Sequence, residues 1–141
     1  MNKVATHQKV NPNIRTVLLQ VVCDASGKEF SFTQNEQIAK AARIVEIEAF
    51  SVAQIPISLT GQTVVNATVF AKSFLVLKNT SGVEYRTLPL EKLQITAARQ
   101  NLLQVNTPAI DLQQTKVVVG SPANLAAGEV FLFAITYEIA G

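Results

Sequence analysis

Val-Phe-Leu-Phe-Ala-Ile-Thr-Tyr-Glu-Ile, residues 130–139, decides the fold. In an extended chain Phe131, Phe133, Ile135, Tyr137 and Ile139 fall on one side, and Val130, Leu132, Ala134, Thr136 and Glu138 on the other. A strand apolar on one side and half-apolar on the other lies deep in a sheet, or carries a surface that a partner covers. The stretch therefore speaks of architecture, and it ties the end of the chain into the body of the fold.

Working back from it, the chain is punctuated like a β protein. Residues 14–23 alternate, with Val17, Leu19, Val21 and Cys23 on one face and Thr16 and Gln20 on the other. Asp-Ala-Ser-Gly, 24–27, is a turn, and 28–32 returns as a second strand. Thr33-Gln-Asn-Glu36 fits the capping pattern of a helix start, so one short helix is expected near 34–42, the only one of any length. From 44 to 52 alternation resumes, with Val45, Ile47 and Ala49 inward and Glu46 and Glu48 outward.

Pro56 and Gly61 loosen the next connection, which has room for a short strand near 57–59. Residues 69–78 read as one long strand, and Asn-Thr-Ser-Gly, 79–82, as the turn to a partner at 83–87. On that partner Val83, Tyr85 and Thr87 share one face, and Glu84 and Arg86 the other. Leu-Pro-Leu-Glu-Lys-Leu, 88–93, leaves the sheet, because proline cannot donate to a central ladder; Leu88, Leu90 and Leu93 would fasten the loop over a core edge. Residues 94–112 allow one short strand, 113–119 form another, and 129–139 the last.

Seven or eight strands without alternating helices call for an all-β fold: an antiparallel β-sandwich, with a single jelly roll ahead of an immunoglobulin-like order. A missing Trp and a single Cys weigh against a true immunoglobulin domain. Residues 1–13 are polar, contain Pro12, and read as an extended N-terminal arm; 14–141 form the jelly-roll domain. The arm is either a frayed end or a segment reaching a neighbour.

The chain has 141 residues, 48% apolar and 16% charged, with net charge +2. Soluble domains carry about 25% charged residues, so either the core is unusually generous or, the favoured reading, part of this surface is hidden against other subunits. A charge of +2 is too small to argue for nucleic acid, and no specific nucleic-acid binding is expected. Phe70, Lys72 and Phe74, read as one strand face, come nearest to such a pattern, but a core strand with one outward lysine accounts for them. The first residues lack the apolar core of a secretion signal and Cys23 is alone, so synthesis in a reducing cytoplasm is the simplest reading.

Chemistry is nearly absent. The one histidine, His7, sits in the arm, which removes Ser-His and Cys-His schemes. Cys23 lies on the apolar face of its strand and reads as a buried filler. The glycines are isolated and turn-like, and neither zinc nor calcium has enough ligands, so no cofactor and no catalytic residue is expected. Glu46 and Glu48 share a strand face, which a solvated surface explains without acid/base work.

One combination has a familiar order. Ala-Arg-Ile-Val-Glu-Ile-Glu-Ala-Phe (42–50) is followed by Lys-Ser-Phe-Leu-Val-Leu (72–77). Glu-Tyr-Arg-Thr-Leu-Pro-Leu-Glu-Lys-Leu (84–93), Ile-Asp-Leu-Gln-Gln-Thr-Lys-Val-Val-Val (110–119) and the terminal Phe-rich strand complete it. From about residue 14 onward this resembles the single jelly-roll structural proteins of icosahedral bacteriophages, especially the vertex (penton) proteins of phages with an internal membrane. The resemblance implies a homopentamer in the virion capsid, assembled in the host cytoplasm beside a major capsid protein. It also implies contact with a spike protein or the internal viral membrane through the arm, and no catalysis. Lys3, Lys9 and Arg15 are the interface candidates in and beside the arm, and Leu125 the candidate in the apolar 121–127 turn, unless it tucks back onto the sandwich edge. The alternative is a β-sandwich module that recognises carbohydrate or a host receptor; the lack of Trp and the placing of Tyr85 and Tyr137 in strands count against it.

Overall fold

A computed structural model describes residues 13–24, 28–32, 41–54, 63–96, 104–120 and 125–139. Its strands are β1 (Ile14–Val22), β2 (Glu29–Ser31), β3 (Ala41–Phe50), β4 (Phe74–Lys78), β5 (Glu84–Pro89), β6 (Gln104–Pro108), β7 (Lys116–Val118) and β8 (Val130–Ile139). One α-helix, α1 (Ala67–Ala71), lies among the described residues. The strands form two four-stranded sheets, ordered β1-β8-β3-β6 and β2-β7-β4-β5. Every ladder is antiparallel.

The order has a simple rule: β1 pairs with β8, β2 with β7, β3 with β6 and β4 with β5. A long antiparallel ribbon, folded at β4–β5 and rolled so that alternate pairs fall in opposite sheets, gives this arrangement. It is the double Greek key of a jelly roll. The sandwich expected from the strand spacing is the fold.

Residues 130–139 occupy the centre of the first sheet, between β1 and β3. Phe131, Phe133 and Ile135 face Val21, Leu19 and Val17 across β1, and Phe133 and Ile135 face Ala49 and Ile47 across β3. These inward residues meet Phe30, Leu75, Leu77, Leu88 and Val117 of the second sheet in one core. The Phe32 and Phe133 rings pack with centroids 5.3 Å apart at 57°. Each fully buried Phe, Leu or Ile side chain in such a core contributes about 1.5–3 kcal/mol.

Strand β3 departs from simple alternation. Ile44 pairs with Tyr137 and Glu46 with Thr136, so Val45 is an extra residue opposite a single step of β8. This β-bulge turns Ile44 into the core beside Ile47 and Ala49, and leaves Val45 only partly buried. The strand also begins at Ala41, so the last residues of the helix expected near 34–42 are strand; residues 33–40 lie outside the described residues. Residues 25–27 of the expected 24–27 turn, the 57–59 strand and residues 121–124 also lie outside them.

The long strand expected over 69–78 is a helix followed by a strand. Asn66 Oδ1 accepts the Val69 N–H at 2.9 Å and caps α1, which buries Val69 and Phe70. A good N-cap is worth about 1 kcal/mol, and here it acts with burial against the strand preference of Val69 and Phe70. Ser73 Oγ closes the helix by donating to the Val69 carbonyl at 2.6 Å. Phe70, Lys72 and Phe74 therefore share no strand face.

The leucine loop behaves as its spacing requires. Pro89 ends β5, an edge strand, and a 3-10 turn over Leu90–Leu93 follows. Leu90 and Leu93 are fully buried, and the Leu90 N–H donates to the Ser73 carbonyl at 3.0 Å. Gly120 passes close to the same corner: a Cβ there would stand 1.9 Å from the Lys72 carbonyl oxygen.

Candidate interaction surface

Cys23 follows β1 and is buried. Burial first, then the nearby charges of Glu129 and Asp24, push its thiol up to about 12. At neutral pH it stays protonated, so it lacks the thiolate that nucleophilic or metal chemistry requires. No group of three or more His, Cys, Asp or Glu side chains among the described residues could hold a metal ion. Among the described residues no helix is long and apolar enough to cross a membrane.

Tyr137 is buried, and Tyr85 is partly buried against the core. Neither offers the exposed ring on which a sugar would stack. Asn66 and Asn79, which head the two Asn-x-Ser/Thr triplets, spend their side-chain oxygens on backbone N–H groups. Asn66 caps α1, and Asn79 Oδ1 accepts from Ser81 and Val83 at 2.9 Å each.

The outer face of the first sheet changes character along its length. At one end it is polar and internally bonded. Arg43 pairs with Glu138 at 3.0 Å and donates to Asn106 Oδ1 at 2.9 Å, Thr16 bonds Thr136 at 2.9 Å, and Gln104 donates to Glu46. At the other end the cross-strand rows read Leu18–Ala134–Glu48, Gln20–Leu132–Phe50 and Val22–Val130. Leu18 and Val22 are 39% and 40% exposed, whereas Leu132 and Ala134 beside them are buried. Glu48 borders this apolar end; burial, then the charge of Glu46, raise its carboxyl above the usual range. It is thus less solvated than an open strand face would make it.

The four sheet edges differ as sharply. Strand β2 has three residues. Strand β5 ends on Pro89 and is broken by a register shift that leaves Tyr85 without a partner on β4. Strand β6 ends on Pro108, carries a register irregularity, and holds Asn106 at φ +46. Shortness, proline and bulges are the devices by which sheets discourage added strands. Strand β1 has none of them: nine residues in unbroken register, with Arg15 its one charge.

Of the residues singled out in the sequence, Lys3 and Lys9 lie outside the described residues. Arg15 is exposed on β1, and its Nη1 donates to the Ile14 carbonyl at 3.2 Å. Leu125 is buried in the core, so it follows the second of its two readings and tucks onto the sandwich edge. Leu18 and Val22 were missed, although a Leu-Leu pair beside a Val-Val pair in one strand puts an apolar residue on each face.

No family model, no curated protein and no solved structure matches this chain.

Proposed function

We propose that the chain is a non-catalytic structural subunit of a viral shell, of the vertex (penton) type, which associates with copies of itself into a pentamer. The observation that carries the reading is the rolled strand order, β1-β8-β3-β6 over β2-β7-β4-β5, in a chain with only 16% charged residues. A jelly roll presents its sides to neighbours in a ring, and sides that need not stay wet can dispense with charge. The exposed Phe74 and Val83, both outside the first sheet, supply apolar surface for such neighbours. The buried, protonated Cys23 fits a scaffold rather than an enzyme.

In this role the major capsid protein is the neighbour at the rim. The N-terminal arm, residues 1–13 with Lys3 and Lys9, is the segment assigned to a spike protein or to an anionic internal membrane. The setting is the virion capsid, assembled in the host cytoplasm.

Native mass spectrometry and sedimentation of the purified chain test the reading. Five-copy rings that bind capsid-shell protein are expected. A chain that stays monomeric at high concentration and fails to assemble with a shell protein would overturn it.

A further inference from the structure

We propose that β1 is a self-complementary edge, through which two copies of this chain pair antiparallel about a two-fold axis at Leu18. The inference goes beyond the ring reading: a two-fold contact cannot close a five-membered ring, so it would join one ring to another, or two free subunits.

The argument begins with hydrogen-bond phase. The Ile139 N–H donates to the Asn13 carbonyl at 2.8 Å and the Cys23 N–H to the Glu129 carbonyl at 2.9 Å. Both bonds fit the β1–β8 register, so odd-numbered residues of β1 bond inward to β8. The backbone N–H and C=O groups of Ile14, Thr16, Leu18, Gln20 and Val22 consequently point away from the sheet. No strand among the described residues lies on that side of β1.

Antiparallel self-pairing about Leu18 places residue 18 opposite 18, 16 opposite 20, and 14 opposite 22. Only even-numbered residues then exchange bonds, and these are the ones whose backbone groups face outward. The side chains agree with this register. Ile14 meets Val22, Thr16 meets Gln20, Val17 meets Leu19 and Leu18 meets itself; Arg15 opposite Val21 is the one mismatch of character. The two Arg15 side chains sit far from the axis, on opposite ends of the paired strands, so no like charges are juxtaposed. The pairing covers both Leu18 and Val22, the exposed large apolar side chains of the first sheet. The Arg15 guanidinium, which holds the Ile14 carbonyl in the single chain, would yield that oxygen to the Val22 N–H of the second copy.

Three variants test this in the full chain: Leu18→Lys, Leu18→Cys and Val22→Cys. Hydrogen-bonded partners in an antiparallel pair have Cα atoms about 5.5 Å apart, within disulfide reach. Leu18→Cys should therefore cross-link to itself under mild oxidation, whereas Val22→Cys should not, because its partner is Ile14. Adding Ile14→Cys to Val22→Cys should restore the cross-link. Leu18→Lys, which puts two like charges on the axis of an exposed site, should weaken the two-fold association at least tenfold in sedimentation while thermal unfolding stays cooperative.

Rings that persist in Leu18→Lys but no longer join would support both proposals. Dimers that Leu18→Lys dissolves, with no rings at any concentration, would support the strand pairing and remove the ring. Association untouched by Leu18→Lys, or Val22→Cys cross-linking as fast as Leu18→Cys, would overturn the pairing and leave the ring standing.

Discussion

Arg86 Nη1 donates to the Val105 carbonyl at 3.2 Å and so joins β5 of one sheet to β6 of the other. Both strands are edges, and the bond spans the open side of the sandwich. Arg86 occupies an inward register position opposite Leu77, yet its guanidinium emerges between the sheets to reach that oxygen.

Removing this tie should loosen the open side. Hydrogen bonds from charged donors contribute about 1.5–3 kcal/mol, and Arg86 is only partly buried, so Arg86→Ala is expected to cost about 1–2 kcal/mol. A lower urea midpoint with an unchanged slope would match that expectation; a midpoint equal to wild type would contradict it.

Gly120 should tolerate substitution least among the described glycines. Gly82 has φ +81, so an alanine there meets a backbone cost of about 1–2 kcal/mol, with its nearest neighbour at 3.9 Å. At Gly120 the conflict is with the Lys72 backbone itself, which cannot swing aside. Thermal unfolding should rank Gly120→Ala well below Gly82→Ala, with a loss of about 3 kcal/mol or more. Equal melting temperatures would refute the close approach.

Cys23 gives stability a dependence on alkaline pH. Its folded thiol holds its proton to about pH 12, whereas the unfolded thiol releases it near 9.0. Between those values the folded state binds more protons, so stability is intact below about 9 and falls as pH rises through the window. Cys23→Ala should flatten that slope whatever it does to the baseline. A thiol reagent at pH 7.5 should modify the wild-type chain only after denaturation.

Glu48 works through the same linkage at the acid end. Its folded carboxyl is raised, so its ionised form is disfavoured by the fold and protonation relieves the penalty. Glu48→Gln is therefore expected to unfold at a higher temperature than wild type at pH 7, with the gap closing as pH drops below the raised value. A gap independent of pH would point to packing instead.

Much of this architecture was legible in residues 130–139 and in the turn spacing, because burial on both faces of β8 and alternation in β1 are stated directly by residue type. The sequence could not show where bonding overrides pattern. Val69 and Phe70 carry a strand signature, yet the cap from Asn66, three residues before Val69, acts with burial to hold them helical. Val45 looks inward by alternation until the bulge hands its place to Ile44. Likewise Glu84 and Thr87, assigned to opposite faces, come together when Tyr85 bulges out, and Thr87 donates to Glu84 at 2.7 Å. That β1 is an edge among the described strands was invisible for another reason: whether a strand is an edge depends on topology, which no local window encodes.

Placing β8 between β1 and β3 also dictates when the fold can appear. A ribosome that has not yet released residues 130–139 holds two strands, more than a hundred residues of separation from their partner in one case, with nothing to zip onto. Neither can register until residues 130–139 have left the ribosome, so the first sheet forms late and through contacts of long sequence separation, which slows folding. Until then Leu19, Val21 and Ile47 stand open to chaperones and to one another.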